Sequence, residues 1–194
     1  MLVLVPVKAF GRAKLRLADV LDGPARAALA REMADRVLTA AAPLPAAVVC
    51  DDDDVAAWAE SRGARVLWRP GHGLNGAVND AVATLAAEGA DRVMVTHADL
   101  PLATGFDELV PGDAGGIVLV PDRHEDGTNV ASIPAASGFT FAYGPGSFSR
   151  HCVEAERLGL ALTVHRPPRL TWDVDVPADL DLPPDVPTTP LLAT

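Results

Sequence analysis

Leu2-Val3-Leu4-Val5-Pro6-Val7, followed at once by Lys8-Ala9-Phe10-Gly11-Arg12-Ala13-Lys14-Leu15-Arg16, decides how the rest of the chain is read. The first six residues form an almost continuous apolar run. Such a run suits a strand buried on both faces rather than one that alternates between core and water. It reads as the first, central strand. A strand of that kind needs helices above and below it, and the sequence supplies them. Within residues 23–42, Leu29, Met33 and Val37 recur every four positions with Arg26, Arg31, Glu32 and Asp35 between them, which is the pattern of an amphipathic helix. The alternation continues with 46–50 as strand, 55–62 as helix, 65–68 as strand, 75–88 as helix and 92–96 as strand. Strands separated by helices imply right-handed crossovers and a largely parallel sheet covered on both faces. The expected class is therefore α/β, a three-layer α/β/α arrangement.

The second half is less regular. Residues 116–121 read as a strong strand, 130–133 and 160–166 as weaker ones, and 148–158 as a helix. A composition of 49% hydrophobic and 22% charged residues supports a well-buried core, so one domain over 1–182 is the expectation. Residues 183–194, PPDVPTTPLLAT, are broken by prolines and read as a loose tail.

A formal net charge of -10 opposes binding to nucleic acid, which relies on clustered Lys and Arg. No apolar run has the length of a membrane span, and the N-terminal residues lack a basic lead and a small-residue cleavage site. The sequence therefore predicts a cytoplasmic location with neither nucleic acid nor membrane as partner. Cys50 and Cys152 stand in no CxxC pattern and read as buried, reduced thiols.

Against the acidic whole, residues 1–18 carry Lys8, Arg12, Lys14 and Arg16 and no acid. The cluster follows the first strand, at the sheet end where open α/β folds bind ligands, and would suit a polyanion such as a nucleoside triphosphate. An isolated cluster of this size reads equally as a solvated loop. It is not a Walker A loop, since GxxxxGK[ST] is absent.

In Thr96-His97-Ala98-Asp99-Leu100-Pro101 an apolar strand delivers a single carboxylate to its carboxyl end. Magnesium asks for one or two carboxylates plus phosphate oxygens, and Asp99 meets that demand, although a turn or helix-cap Asp has the same look. His97 reads first as a satisfied structural residue and secondly as a substrate contact. In Trp172-Asp173-Val174-Asp175 the alternation of an extended chain points Asp173 and Asp175 the same way, and like charges so close call for a cation. Asp175 is the preferred second metal ligand, Asp173 its neighbour in either coordination sphere, and Asp179 serves the short helix that Pro177 begins.

Asp126-Gly127-Thr128-Asn129 and Tyr143-Gly144-Pro145-Gly146-Ser147 each offer backbone amides and a hydroxyl, the second leading into a helix. Both suit an anion and both suit ordinary turns. Arg150 and His151 either add positive charge there or sit on a solvated helix face. Asn75 reads first as a helix cap and secondly as a partner for a purine edge. The run 51–54 of four Asp reads as a solvated turn whose last member, Asp54, caps the next helix.

Taken in order, VPVKAFGRAKLRL, GLNGAV, ADLPL, DGTN with GPGS, and DVDVPADL resemble the 2-phospho-L-lactate or phosphoenolpyruvate guanylyltransferases of coenzyme F-420 biosynthesis, nucleotidyltransferases of GT-A-like fold. The resemblance runs over residues 2–182. It implies that Lys8, Lys14 and Arg16 meet the phosphates of GTP, that Asn75 lies near the guanine, and that Asp99 and Asp175 hold Mg2+. It also implies that Thr128, Gly144 and Ser147 cradle the phosphate of a three-carbon acid: phosphoenolpyruvate, 2-phospho-L-lactate or 3-phosphoglycerate. Hand-over of an unstable product to the next enzyme is implied likewise; a homodimer is left open. Where members often carry Ser or Thr between the loop Lys and Arg, this chain has Leu15, a difference that bears on acceptor choice more than on reaction class.

Two rivals remain. Nucleotidyltransferases serving molybdenum cofactor or sugar nucleotides usually show a LAGGxGxRMG-like loop, which is absent. A non-catalytic nucleotide-binding module of doubly wound fold is the other. The phosphate oxygen of the acid is anionic at neutral pH, so the expected reaction needs no general base, in keeping with the absence of a Ser-His-Asp set.

Overall fold

A computed structural model describes residues 1–110 and 115–183. The expected loose tail falls, apart from Pro183, outside the described residues. Among the described residues seven strands form one sheet: β1 (Leu2–Pro6), β2 (Ala46–Cys50), β3 (Arg65–Trp68), β4 (Arg92–Thr96), β5 (Ile117–Pro121), β6 (Thr128–Pro134) and β7 (Leu162–Val164), in the spatial order β3-β2-β1-β4-β6-β5-β7. All pairings are parallel except those of β6, which runs antiparallel to both β4 and β5. The α/β expectation with a mostly parallel sheet is borne out. β1 is interior, as its apolar run requires, but β4 takes the middle place.

Helices α1 (Gly23–Ala41) and α2 (Asp53–Ser61) cover one face, and α3 (Gly73–Ala87) and α4 (Ser147–Arg157) cover the other. A short helix α5 (Pro168–Thr171) adds Leu170 to the first face. The side chains divide by strand alternation: Val3, Val5, Val48 and Met94 enter the layer with α1 and α2, while Leu4, Ala47, Val93 and Val95 enter the layer with α3 and α4. With both faces dry, none of these strands has room for a polar residue in its middle. That is why the sequence shows apolar runs rather than alternation.

The chain moves outward from β1 through β2 to β3, then returns to lay β4 on the other flank of β1. The carboxyl ends of β1 and β4 therefore border the crevice where the strand order reverses, the usual ligand position in open sheets.

Two expected caps are displaced. α2 is capped by Asp52, whose carboxylate accepts the Val55 amide at 3.2 Å, so Asp54 lies inside the first turn with Asp53, where both meet the positive end of the helix dipole. α3 begins at Gly73, so Asn75 sits within its first turn and caps nothing. Both cysteines are free; Cys50 is buried, whereas Cys152 is partly exposed.

Candidate active site between the first and fourth strands

The geometry starts from a small apolar cluster apart from the two main layers. Leu17, Leu29, Met33 and Val174 are fully buried together, with Trp172 and Leu180 against them. This cluster joins the basic loop to the acidic segment across α1, and it brings the residues on either side of Leu17 and Val174 into contact. Lys14 Nζ stands 2.5 Å from Asp99 Oδ2 and 3.1 Å from Asp175 Oδ1, and Arg16 reaches Asp175 at 3.7 Å. The Val174 amide donates to the Asp99 carbonyl at 3.2 Å, tying the acidic segment to the end of β4. Lys14 itself adopts φ 53°, a left-handed conformation uncommon outside glycine, and the surrounding contacts hold it there.

Burial alone would lower the pKa of the Lys14 ammonium, but Asp99 and Asp175 outweigh it and the net shift is upward. Burial likewise opposes ionisation of Asp99, and Lys14, then His97, reverse that and hold its carboxyl below the ordinary value. Asp173 has no ammonium beside it. Its burial, together with the charges of Asp99 and Asp175, pushes its pKa up to about 7.

The acidic segment is braced from beneath by Arg123 and Asp179, neither of which the sequence reading placed in the site. The Arg123 guanidinium lies 4.3 Å over the Trp172 ring, donates to the Asp173 carbonyl at 3.2 Å and pairs with buried Asp179. Asp179 in turn accepts the amides of Asp175 and Val176 at 2.6 and 2.8 Å, which bears out its expected service to the 3-10 turn Pro177–Leu180.

A cavity of about 430 Å³ opens over this group, lined by Lys8, Arg12, Lys14, Arg16, His97 and Asp99 among others. A second, of about 210 Å³, lies beside it at the ends of β1 and β2, where Lys8, Val49, Asp51, Arg69, Gly73 and Leu74 contribute. Lys8 and Leu74 belong to both.

The acceptor candidates gather elsewhere. Thr128, at the start of β6, and Ser147, at the start of α4, are in contact: the Thr128 amide donates to Ser147 Oγ at 3.1 Å. Both are sealed from solvent. Gly144 holds φ 121°, and its carbonyl accepts the Ser147 amide at 3.0 Å. Asn75 is engaged here. Its amide clamps Tyr143 in both directions, accepting the Tyr143 N–H at 2.7 Å and donating to the Tyr143 carbonyl at 3.2 Å.

Arg150 is exposed and brings its positive charge to the loop 143–147, whereas His151 fulfils neither reading. The Arg150 guanidinium donates to the carbonyls of Ala142, Gly144 and Pro145, and His151 is wholly buried. His97 joins the two groups: it lines the larger cavity, and its ring centroid is 5.0 Å from that of Tyr143. Contrary to expectation it is not satisfied. His97 Nε2, Asp99 Oδ1 and the Tyr143 hydroxyl are buried without a hydrogen-bond partner.

Those orphaned atoms and the Lys14-bridged carboxylates test whether a divalent cation suits the place. Among the described residues no three His, Cys, Asp or Glu side chains converge on one point, so Asp173 does not complete a ligand set with Asp99 and Asp175. Magnesium does not require three, because substrate phosphates and water complete its octahedron. Asp99 has an unused buried oxygen, and burial, with the charges of Asp99 and Asp175, raises the pKa of the neighbouring Asp173. The donor set fits.

A nucleotidyl transferase from Methanothermobacter thermautotrophicus, 15% identical, superimposes with a TM-score of 0.61 over 92% of this chain and 94% of that one, so the two share a fold. The phosphoenolpyruvate guanylyltransferase of Sphaerobacter thermophilus is 38% identical over 93% of this chain and 90% of its own length. The 2-phospho-L-lactate guanylyltransferase of Methanothermobacter thermautotrophicus is 32% identical over 91% and 81%. The family model described as guanylyl transferase CofC like matches residues 1–182, a span that takes in the basic loop, both carboxylates and the hydroxyl pair alike. The chain belongs to the CofC-like guanylyl transferase family.

Proposed function

We propose that the protein transfers GMP from GTP to a small phosphorylated three-carbon acid, phosphoenolpyruvate or 2-phospho-L-lactate, with release of pyrophosphate, on the route to the deazaflavin coenzyme F-420. The observation that carries this reading is the Lys14 ammonium held between Asp99 and Asp175 at the point where the strand order reverses. The names of the relatives support the nucleotide and the acid.

The triphosphate lies in the larger cavity, where Lys8, Arg12, Lys14 and Arg16 present four cations, and the guanine lies in the smaller one beside Asp51, Arg69 and Leu74. Asp99 and Asp175, with Asp173 alongside, would hold magnesium. When bound, the metal supplies positive charge for the triphosphate and for the departing pyrophosphate. A phosphate oxygen of the acid attacks the α-phosphorus in line. That oxygen is already anionic, so the residues align two polyanions and screen their repulsion rather than remove a proton. Thr128, Gly144 and Ser147 hold the phosphate of the acid. Because the two hydroxyls are sealed, the acid reaches them only once their cover is displaced.

The test is pyrophosphate release from GTP and magnesium with phosphoenolpyruvate, 2-phospho-L-lactate and 3-phosphoglycerate in turn, using ATP and CTP as controls and the following enzyme to draw off product. Release with GTP and one of the first two acids is expected, and Asp99→Asn should reduce kcat at least about 100-fold. Silence with all three acids would move the reading to another nucleotidyl transfer, and near-normal turnover by Asp99→Asn would remove Asp99 from the metal.

A further inference from the structure

His151 has a network that fixes its tautomer, and the consequence falls on Thr128. The ring is one turn beyond Ser147 on α4, so both side chains face the start of β6. The Ala142 backbone N–H donates to His151 Nε2 at 2.9 Å. An amide N–H can only donate, so Nε2 must be the ring nitrogen with the lone pair, and the proton of the neutral imidazole resides on Nδ1. Nδ1 stands 2.9 Å from Thr128 Oγ1. The Nδ1–H therefore donates and the threonine oxygen accepts.

A hydroxyl that accepts in this way still has one proton to give. No acceptor among the described residues takes it. Ser147 is in the same condition: its Oγ accepts the Thr128 amide, and its proton is also unspent. Each of these buried hydroxyls keeps a second lone pair, but with one lone pair taken by an N–H its unspent proton is turned away from that donor and is available to an acceptor such as a phosphate ester. Without the His151 N–H, no bond to Thr128 Oγ1 among the described residues would fix the rotation of its hydroxyl.

We propose that His151 is a positioning residue that, by occupying a lone pair of Thr128 Oγ1, orients the Thr128 O–H to donate toward the phosphate of the acceptor acid. This rests on the reading of Thr128 and Ser147 as the acid's cradle. The aromatic shell keeps the arrangement in place: the rings of Phe139, Phe141 and Tyr143 lie 5.6, 5.8 and 5.1 Å from that of His151. Gln and Asn separate the two bonds of the ring. Gln at this position can bring an oxygen to the Ala142 amide but has nothing to donate to Thr128. Asn can bring an N–H toward Thr128 but leaves the Ala142 amide without its acceptor.

The experiment is a steady-state double-mutant cycle on the full chain, with KM measured separately for the acid and for GTP and with melting temperatures alongside. Thr128→Val is expected to raise the KM of the acid about tenfold, the scale of one lost hydrogen bond to a charged group, while the KM of GTP stays within about twofold. His151→Gln is expected to raise the acid KM several-fold in the wild-type background and to add nothing in the Thr128→Val background, since it acts through that hydroxyl. His151→Asn should recover most of the loss even though its melting temperature falls like that of His151→Gln. If Thr128→Val leaves the acid KM unchanged, the cradle itself is wrong. If Thr128→Val behaves as expected but His151→Gln is fully additive with it, or if Asn and Gln fail equally, His151 is structural only and the proposal is overturned.

Discussion

The His151 ring keeps both of its bonds only while neutral, because Nε2 must accept the Ala142 amide. Burial, reinforced by the charges of Arg150 and of His97 when protonated and opposed by Glu154, lowers its pKa from 6.5 to about 4. The rings of Phe139, Phe141 and Tyr143 packed on it bring no charge, and the Tyr143 hydroxyl is pushed upward by its own burial. In the unfolded chain the imidazole titrates near its ordinary value. Between pH 6.5 and pH 4 the folded protein therefore binds fewer protons than the unfolded one. Stability that is fully present above pH 6.5 is lost as pH falls through this window, by at most about 3 kcal/mol. Denaturant melts of the protein and of His151→Asn at pH 4.5 to 7.5 check this. The wild type should show the acid loss and the variant a flatter limb; parallel limbs would mean that other groups govern acid unfolding.

Between elements, the cluster of Leu17, Leu29, Met33 and Val174 decides whether the cationic and anionic halves of the site meet. Leu17→Ala should lower stability by about 2–4 kcal/mol through its cavity and, unlike an equally costly truncation of Leu85 in the opposite layer, should also raise the KM of GTP. Equal kinetics in the two variants would show that Lys14 finds Asp99 without that support. Removal of the Arg123 side chain leaves Asp179 buried and unpaired and should destabilise by about 3–5 kcal/mol. The strands of the first half and the carboxylate at the end of β4 were legible, because an apolar run buried on both faces leaves few alternatives. Caps were less so: Asp52 rather than Asp54 begins α2, since four consecutive Asp residues offer the same chemistry and only the local backbone turn selects among them. The partners of Asn75 and His151 were illegible. Asn75 bonds to Tyr143, 68 residues away, and His151 to Thr128, 23 residues away, so neither pairing leaves a local pattern.

At the scale of the molecule, two electrostatic effects on the incoming triphosphate have opposite sign. The whole chain has a net charge of -10 and repels a polyanion, while Lys8, Arg12, Lys14 and Arg16 line the larger cavity and attract it. Distance decides between them. At 0.1 M salt the screening length is about 10 Å, so acids spread over the outer surface contribute little, whereas the loop cations line the cavity proposed for the triphosphate. Salt should therefore weaken GTP binding rather than strengthen it. Arg12 and Arg16 are exposed and their attraction is the part most open to screening, while Lys14 is shielded within its pair of carboxylates. The double variant Arg12→Gln/Arg16→Gln should raise the KM of GTP several-fold at about 0.02 M salt, and the gap from wild type should close by about 0.5 M. A KM that falls with added salt in the wild type would mean that the net charge governs encounter after all. A gap that stays constant with salt would mean that Arg12 and Arg16 act through fixed, desolvated contacts rather than through the field at the mouth of the cavity.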